Sequence, residues 1–337
     1  MDLKVTARAH PNLALVKYWG NLDDAINIPA NASISVNLGG ATTTTSVAFL
    51  PHQERDLVTI DRRAAPPEAY GRVVRHLDRV RHLAGVSDRA VVESHNDFPA
   101  ASGIASSASA FAALSLAATR AAGLELAERQ LSILARKGSG SACRSIPGGF
   151  VEWLAGADDE TSYARQIAPP AHWDLSVVTV ILGEEAKEIS SSEGHRLART
   201  SPFYQARLDA LPRTLAVVRQ ALLDRDWRTL GPAVEREAVS MHVVAMTSRL
   251  ADRPWLSGIY YWQPGTLALI QAVQAWRRRG LEVYFTIDAG QNVHLLCRGP
   301  DQARLEGALT HLLPGLGGRY LVSTPGRGAW VAAQERI

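Results

Sequence analysis

Residues 99–123, PAASGIASSASAFAALSLAATRAAG, limit the fold of this chain more than any other stretch. A loop of small residues runs into a long, alanine-rich helix, and Gly103 lets the backbone turn tightly before it. The free N–H groups at such a helix start, with the positive end of its dipole, make a natural phosphate site. Ser106 and Ser107 add hydroxyls for a phosphate or a bound Mg²⁺. A helix packed tightly through small residues would explain the alanines, but not the Gly-x-x-Ser-Ser cluster ahead of them. The Walker A pattern is absent.

Around this segment the periodicities alternate between strand and helix. KVTARAH, ALVKYW and SISVNL read as short strands, and Pro67 to Leu83 as an amphipathic helix followed by a strand through Val91 and Val92. A helix around Glu128 to Arg136, a strand in GFVEWLAG and a buried apolar strand near 176–182 come next. Beyond residue 183 the pattern shifts to longer helices, at 203–224, 227–247 and 264–279. Strands at EVYFTID and NVHLLCR, a helix from Asp301 and a last strand near Tyr320 follow. At 337 residues the chain has room for two domains, 1–183 and 184–337, of mixed α+β class.

A formal charge of +3 is too little to argue for nucleic acid as a partner, and no stripe of basic and aromatic residues supports one, so none is expected. Arg277 to Arg279 precede Gly280, where cations suit the negative end of a helix. No apolar run reaches membrane-spanning length and no leader precedes the first strand, so no membrane is implied and a cytoplasmic location is expected. Cys143 and Cys297 stand in no metal-ligand spacing and are expected as buried free thiols.

Two further segments carry chemistry. In KGSGSACRSIPGG, Arg144 lies among small residues that let a ligand approach, and a guanidinium grips a carboxylate or phosphate through two parallel hydrogen bonds. In FTIDAGQN, Asp288 sits between a strand-like run and a tight turn, a place where structure alone also favours aspartate. Lysine is rare: Lys4, Lys17, Lys137 and Lys187 are the four among 36 basic residues, so each retained lysine is a candidate for work that arginine does poorly.

KYWG, NASISV, FPAASGIASSASAFAAL, RKGSGSACRSIPGGFVEW and YFTIDAGQN together resemble the mevalonate diphosphate decarboxylases of the GHMP kinase superfamily. That superfamily's phosphate loop has the Pro-x-x-x-Gly-[Leu/Ile]-x-Ser-Ser form seen at Pro99 to Ser107. The resemblance runs from about residue 5 to the 290s. It implies a ribosomal S5 domain 2-like N-terminal domain packed on a C-terminal GHMP domain, with a homodimer as the family's assembly. It also implies ATP-driven phosphorylation of a tertiary 3-hydroxyl, then loss of phosphate and CO₂. Asp288 matches the catalytic aspartate, Arg144 the arginine on the substrate's C1 carboxylate, and Asn12 an asparagine that helps it. Ser102, Gly103, Ala105, Ser106 and Ser107 would cradle the ATP phosphates. Lys187, Ser191 and Ser192 match a loop that closes over ATP.

In the diphosphate-acting enzymes the first motif usually reads KYWGK, and its last lysine contacts the 5-diphosphate; here that position is Asn21. One cation fewer suits a tail with one phosphate fewer. TARAHPN and YYWQPGTLALIQAV also look more like the mevalonate 5-phosphate decarboxylases. The resemblance therefore implies mevalonate 5-phosphate as substrate, held by Lys17, Tyr18, Ser139 and Ser141 with His10 or Arg75 assisting, and Lys17 joins Asp288 and Arg144 at the reacting end. Drift at a loop position, compensated elsewhere, is the plain alternative for Asn21. A 3-kinase that stops before decarboxylation is the rival activity, and a non-enzymatic nucleotide-binding protein the rival class.

Overall fold

In the computed structural model, residues 3–98, 106–183, 185 and 187–337 are described; Ser102, Gly103 and Ala105 of the expected phosphate loop lie outside them. The alternation in LKVTARA buries Val5, Ala7 and Ala9 on one face, as a half-buried strand requires. This strand, Leu3–Ala9, belongs to a six-stranded sheet. The order is 330–336, 3–9, 43–50, 89–96, 57–60 and 63–64, antiparallel except where 57–60 runs parallel to 89–96. Helices α1 (Pro67–Ala84), α2 (Ser106–Ala121) and α3 (Glu128–Gly138) cover one face, where Leu77, Val80, Phe111 and Leu134 meet Val47 and Val92.

A second sheet runs 164–168, 150–153, 33–37 and 12–16, and its three strands 12–16, 33–37 and 150–153 are buried along their whole length. α5 (Tyr204–Asp224) and α6 (Trp227–Met246) pack Leu211, Val218, Leu222 and Val234 against it. A third sheet, in the order 283–286, 293–298, 175–181 and 319–323, is covered by α7 (Pro264–Arg278) and α8 (Gln302–Leu312). The short helix α4 (Ser191–Leu197) is capped by Ser190, whose Oγ accepts from the Glu193 amide at 3.2 Å.

Three sequence expectations meet differences. The strand read through ALVKYW ends at Val16, and Gly20 turns at φ +98°, which leaves Lys17 to Trp19 just past the sheet. The apolar strand 175–181 sits in the third sheet, and 330–336, absent from the reading, returns to the first, so sheet membership does not follow a single division at 183. A continuous apolar run signals burial on both faces but carries no address for a sheet. Both cysteines are buried and free, and no helix among the described residues is long and apolar enough to cross a membrane.

Gly231 lies inside α6, where a Cβ would stand 2.1 Å from Tyr284 Cδ2 and 2.5 Å from its Cγ. Glycine to alanine in a helix usually gains up to about 1 kcal/mol. Here overpacking against a ring held by Trp227 reverses the sign. Gly231→Ala should destabilise by about 1–3 kcal/mol in denaturant titrations; a stabilised variant would contradict the packing described.

Candidate active site

A cleft of about 940 Å³ opens where the three sheets and their helices converge. Its floor is an ion pair. Lys17 Nζ donates to Asp288 Oδ1 at 2.6 Å and to the Ala14 carbonyl at 2.7 Å, and Lys17 is only 2% exposed. The backbone behind it is held from α5 and α6. The Lys17 amide donates to Glu237 Oε2 at 3.0 Å, Arg207 Nη2 donates to the Lys17 carbonyl at 3.1 Å, and Arg207 and Glu237 pair with each other in full burial. Asp288 sits in the turn between strands 283–286 and 293–298, closed by the Gly290 amide donating to its carbonyl at 2.7 Å. Burial raises the Asp288 carboxyl, but Lys17, then His294 and Arg144, outweigh it and hold the group below its ordinary value of 3.8. It is a fixed carboxylate.

Arg144 forms the opposite wall. Its Nε donates to Asn12 Oδ1 at 3.1 Å and its Nη1 to Ser33 Oγ at 2.7 Å, while its guanidinium lies 5.7 Å from the Trp153 ring. Nη2 has no protein partner among the described residues and is open to the cleft. Asn12 in turn donates to the Ser141 carbonyl and to Ser145 Oγ, so it orients Arg144 and has little capacity left for a ligand. Burial lowers the Arg144 pKa, with Asp288 acting against that.

Ser106 and Ser107 open α2 on the cleft, and Ser139 Oγ donates to Ser107 Oγ at 3.3 Å. Ser141 lines the same wall, and Gly140 lets Tyr18 approach, since a Cβ there would lie 2.9 Å from Tyr18 Cε1. Lys187, Ser191 and Ser192 line the cleft near Asp288, with Lys187 Nζ 3.5 Å from Ser191 Oγ. Burial lowers the Lys187 ammonium and Asp288 opposes the shift.

Tyr18 donates from Oη to Asn21 Oδ1, and Asn21 Nδ2 donates to Asp24 Oδ1 at 2.7 Å. Both ends of the Asn21 amide are therefore engaged, and a carboxylate stands beside it. Arg75 reaches the cleft as expected. His10 does not: its Nδ1 lies 2.6 Å from the Ala41 carbonyl and its ring packs on Trp330, at the far end of strand 12–16 from Lys17. Three residues passed over in the sequence, Arg72, Arg79 and His195, also line the cleft, as does the retained lysine Lys137. The arginine spacing on α1 reads as an ordinary solvated helix face, and nothing marks the histidine.

The arrangement suits an anionic ligand, held between a guanidinium and an ammonium–carboxylate pair. Two family models match: the diphosphomevalonate decarboxylase-like N-terminal domain over residues 9–164 and the mevalonate 5-diphosphate decarboxylase C-terminal domain over residues 177–323. The phosphomevalonate decarboxylase of Haloferax volcanii is 33% identical over 308 residues, covering 91% of this chain and 92% of its own. The diphosphomevalonate decarboxylase of Rattus norvegicus is 32% identical over 335 residues, covering 93% and 81%. A solved structure of MDDEF in complex with MVAPP, AMPPCP and magnesium matches with a TM-score of 0.91 at 35% identity, over 98% of this chain and 99% of that one. The architecture is the two-domain α+β fold of the GHMP kinases. Within it, the chain belongs to the ATP-dependent mevalonate diphosphate decarboxylase family and is a decarboxylase of the mevalonate pathway.

Removing the ammonium from the floor strands the Asp288 carboxylate. Lys17→Met should cost about 2 kcal/mol or more at pH 7. The pair's stabilisation is present above the ordinary carboxylate value and fades as pH falls through the lower folded one. In the variant, burial raises the Asp288 carboxyl with no ammonium to oppose it, so the stranded group takes up a proton at higher pH than in the wild type and the stability gap, read by denaturant titration, should narrow as pH falls from 7. A gap that stays constant down to about pH 4 would assign the loss to another group.

Proposed function

We propose that this decarboxylase acts on mevalonate 5-phosphate, with ATP and Mg²⁺, to give isopentenyl phosphate, CO₂, ADP and phosphate. The observation that carries the choice of tail is Asn21. It presents no cation, its amide is committed to Tyr18 and Asp24, and the Asp24 carboxylate further disfavours a second phosphate there. The Haloferax volcanii relative, named for the monophosphate activity, supports the reading. A specific observation favours the longer tail instead: Arg72, Arg75 and Arg79 line the same cleft and offer cations to a diphosphate.

In this reading Arg144 holds the C1 carboxylate through the free Nη2, with Asn12 fixing its orientation. Lys17, Tyr18, Ser139 and Ser141 face the 5-phosphate end, with Arg75 within the same cleft. Asp288 accepts a hydrogen bond from the 3-hydroxyl and aims its lone pair at the γ-phosphate of ATP. A carboxylate held below its ordinary value is a weak base, so orientation is its main contribution and the proton transfers late. The new O–P bond forms as the bond to the ADP oxygen breaks. The C3–O bond then breaks, phosphate leaves, and the C1–C2 electrons become the C2–C3 double bond as CO₂ departs.

Ser106 and Ser107 at the amino end of the sixteen-residue α2, with Lys187, Ser191 and Ser192 across from them, fit the triphosphate and its cation. Mg²⁺ held by the two serine hydroxyls would neutralise phosphate charge. AMPPCP and magnesium in the related complex support this assignment. Ser102, Gly103 and Ala105 complete the proposed phosphate cradle.

The monophosphate should exceed the diphosphate in kcat/KM by about tenfold or more, and Asn21→Lys should shrink that ratio. A wild-type preference for the diphosphate would sink the choice of substrate. Labelled CO₂ and ADP should appear in equal amounts; ADP alone would mean a kinase. Asp288→Asn should lower kcat roughly 10²–10⁴-fold while ATP affinity stays within a factor of two.

A further inference from the structure

His195 lies on α4 with its imidazole 4.1 Å from the Tyr18 ring and 4.6 Å from the Trp19 ring. The neighbouring Gly194 lets the helix sit directly on Trp19, because a Cβ there would stand 2.6 Å from Trp19 Cη2. The Gly20 amide donates to His195 Nδ1 at 2.9 Å. An amide N–H can only donate, so Nδ1 is the acceptor and the neutral ring carries its proton on Nε2. Nε2 has no protein partner among the described residues, is not among the buried atoms lacking one, and belongs to a residue that lines the cleft. Burial, with Arg144 and Arg207 adding to it, pushes the imidazole down to about 3, which keeps it neutral when the cleft is empty.

We infer that His195 is a substrate-binding residue whose Nε2–H donates a hydrogen bond to the phosphate ester carried by the substrate's tail. The inference rests on the proposed reading only in that this tail ends beside Tyr18. The ring is packed against Tyr18 and Trp19 and held at Nδ1, so the donor is aimed before any ligand arrives and little freedom is lost on binding. A neutral donor adds a contact to phosphate without adding a fixed charge, in keeping with the uncharged Asn21 two positions beyond the stacked Trp19.

The clamp supplies its own test. In His195→Asn the side-chain oxygen falls near the Nδ1 position and keeps the Gly20 bond, while the donor is lost. In His195→Gln the amide nitrogen falls near the Nε2 position and restores it. Calorimetry with mevalonate 5-phosphate, mevalonate 5-diphosphate, unphosphorylated mevalonate and ATP reads the outcome. Asparagine should weaken both phosphorylated mevalonates about 10- to 100-fold, as for a lost bond to a charged group. Mevalonate and ATP should change by less than about twofold, and glutamine should recover most of the loss. Should the asparagine variant fail to fold, His195→Phe keeps the stacking without the donor and should show the same pattern. Equal weakening of unphosphorylated mevalonate, unchanged binding of the phosphorylated ligands, or no recovery with glutamine would overturn the assignment. A wild type that binds the diphosphate more tightly would remove the proposed substrate, while the contrast between phosphorylated and unphosphorylated ligands would still decide the role of His195.

Discussion

The Lys17–Asp288 pair joins two residues 271 positions apart, one at the end of a second-sheet strand and one in a third-sheet turn. The cleft exists because these two sheets are held at that distance. The pair is buttressed by Arg207 and Glu237, which fix the Lys17 backbone from behind through its amide and its carbonyl. Burying four charges is not an efficient way to gain stability, since apolar side chains of the same volume would serve as well. What the ions add is direction: two of the ammonium's donors are fixed on Asp288 and Ala14, and Lys17 and Asp288 both line the cleft. Geometry is the product of this arrangement.

Around the pair, protons are managed by exclusion. His242 and His294 flank it from α6 and the third sheet, with Nε2 near the Ile287 carbonyl and Nδ1 near Thr179 Oγ1. Burial pushes them down to about 3 and about 4. Both stay neutral at physiological pH, so the charges facing a ligand come from groups that do not titrate there. The arrangement has a consequence for stability. These bases bind protons in the unfolded chain near 6.5 but not in the folded one, so folding weakens as pH falls below that value.

Much of this was legible in the sequence where periodicity and small residues carried the information. The alternation of the seven-residue first strand, the long helices and the turn that carries Asp288 after a strand are where the sequence placed them. Strand 43–50 did not, because Thr43 and Thr45 occupy inward positions where an apolar residue is the usual signal. The last strand, 330–336, is mostly exposed and lacks an apolar face. His195 was invisible for a different reason: its function depends on the Gly20 amide and two rings brought from 175 residues away, and no local pattern encodes that. His10 misled in the opposite sense, since proximity in sequence to Asn12 did not put it on the same side of the strand's end.

The arginines of α1 set the limit on any argument from a single missing lysine. Arg72 Nη2 donates to the Gly138 carbonyl at 3.3 Å, and Arg79 Nη1 donates to the Lys137 carbonyl at 2.8 Å, so both are tied to the end of α3. Lys137 itself pairs with Asp159 at 2.5 Å. Three of the cations on this wall therefore fasten the segment that carries Ser139, Ser141 and Arg144, and a ligand would have to compete with those bonds to draw on them. Burial lowers the pKa of Arg72 and Arg79, and Arg75 lowers both further by repulsion, though all three guanidiniums keep their charge. A second phosphate would relieve that repulsion, but only by leaving the Tyr18–Asn21–Asp24 side and crossing to α1. Charge counted over the whole cleft favours neither tail; charge counted where Asn21 stands favours the shorter one.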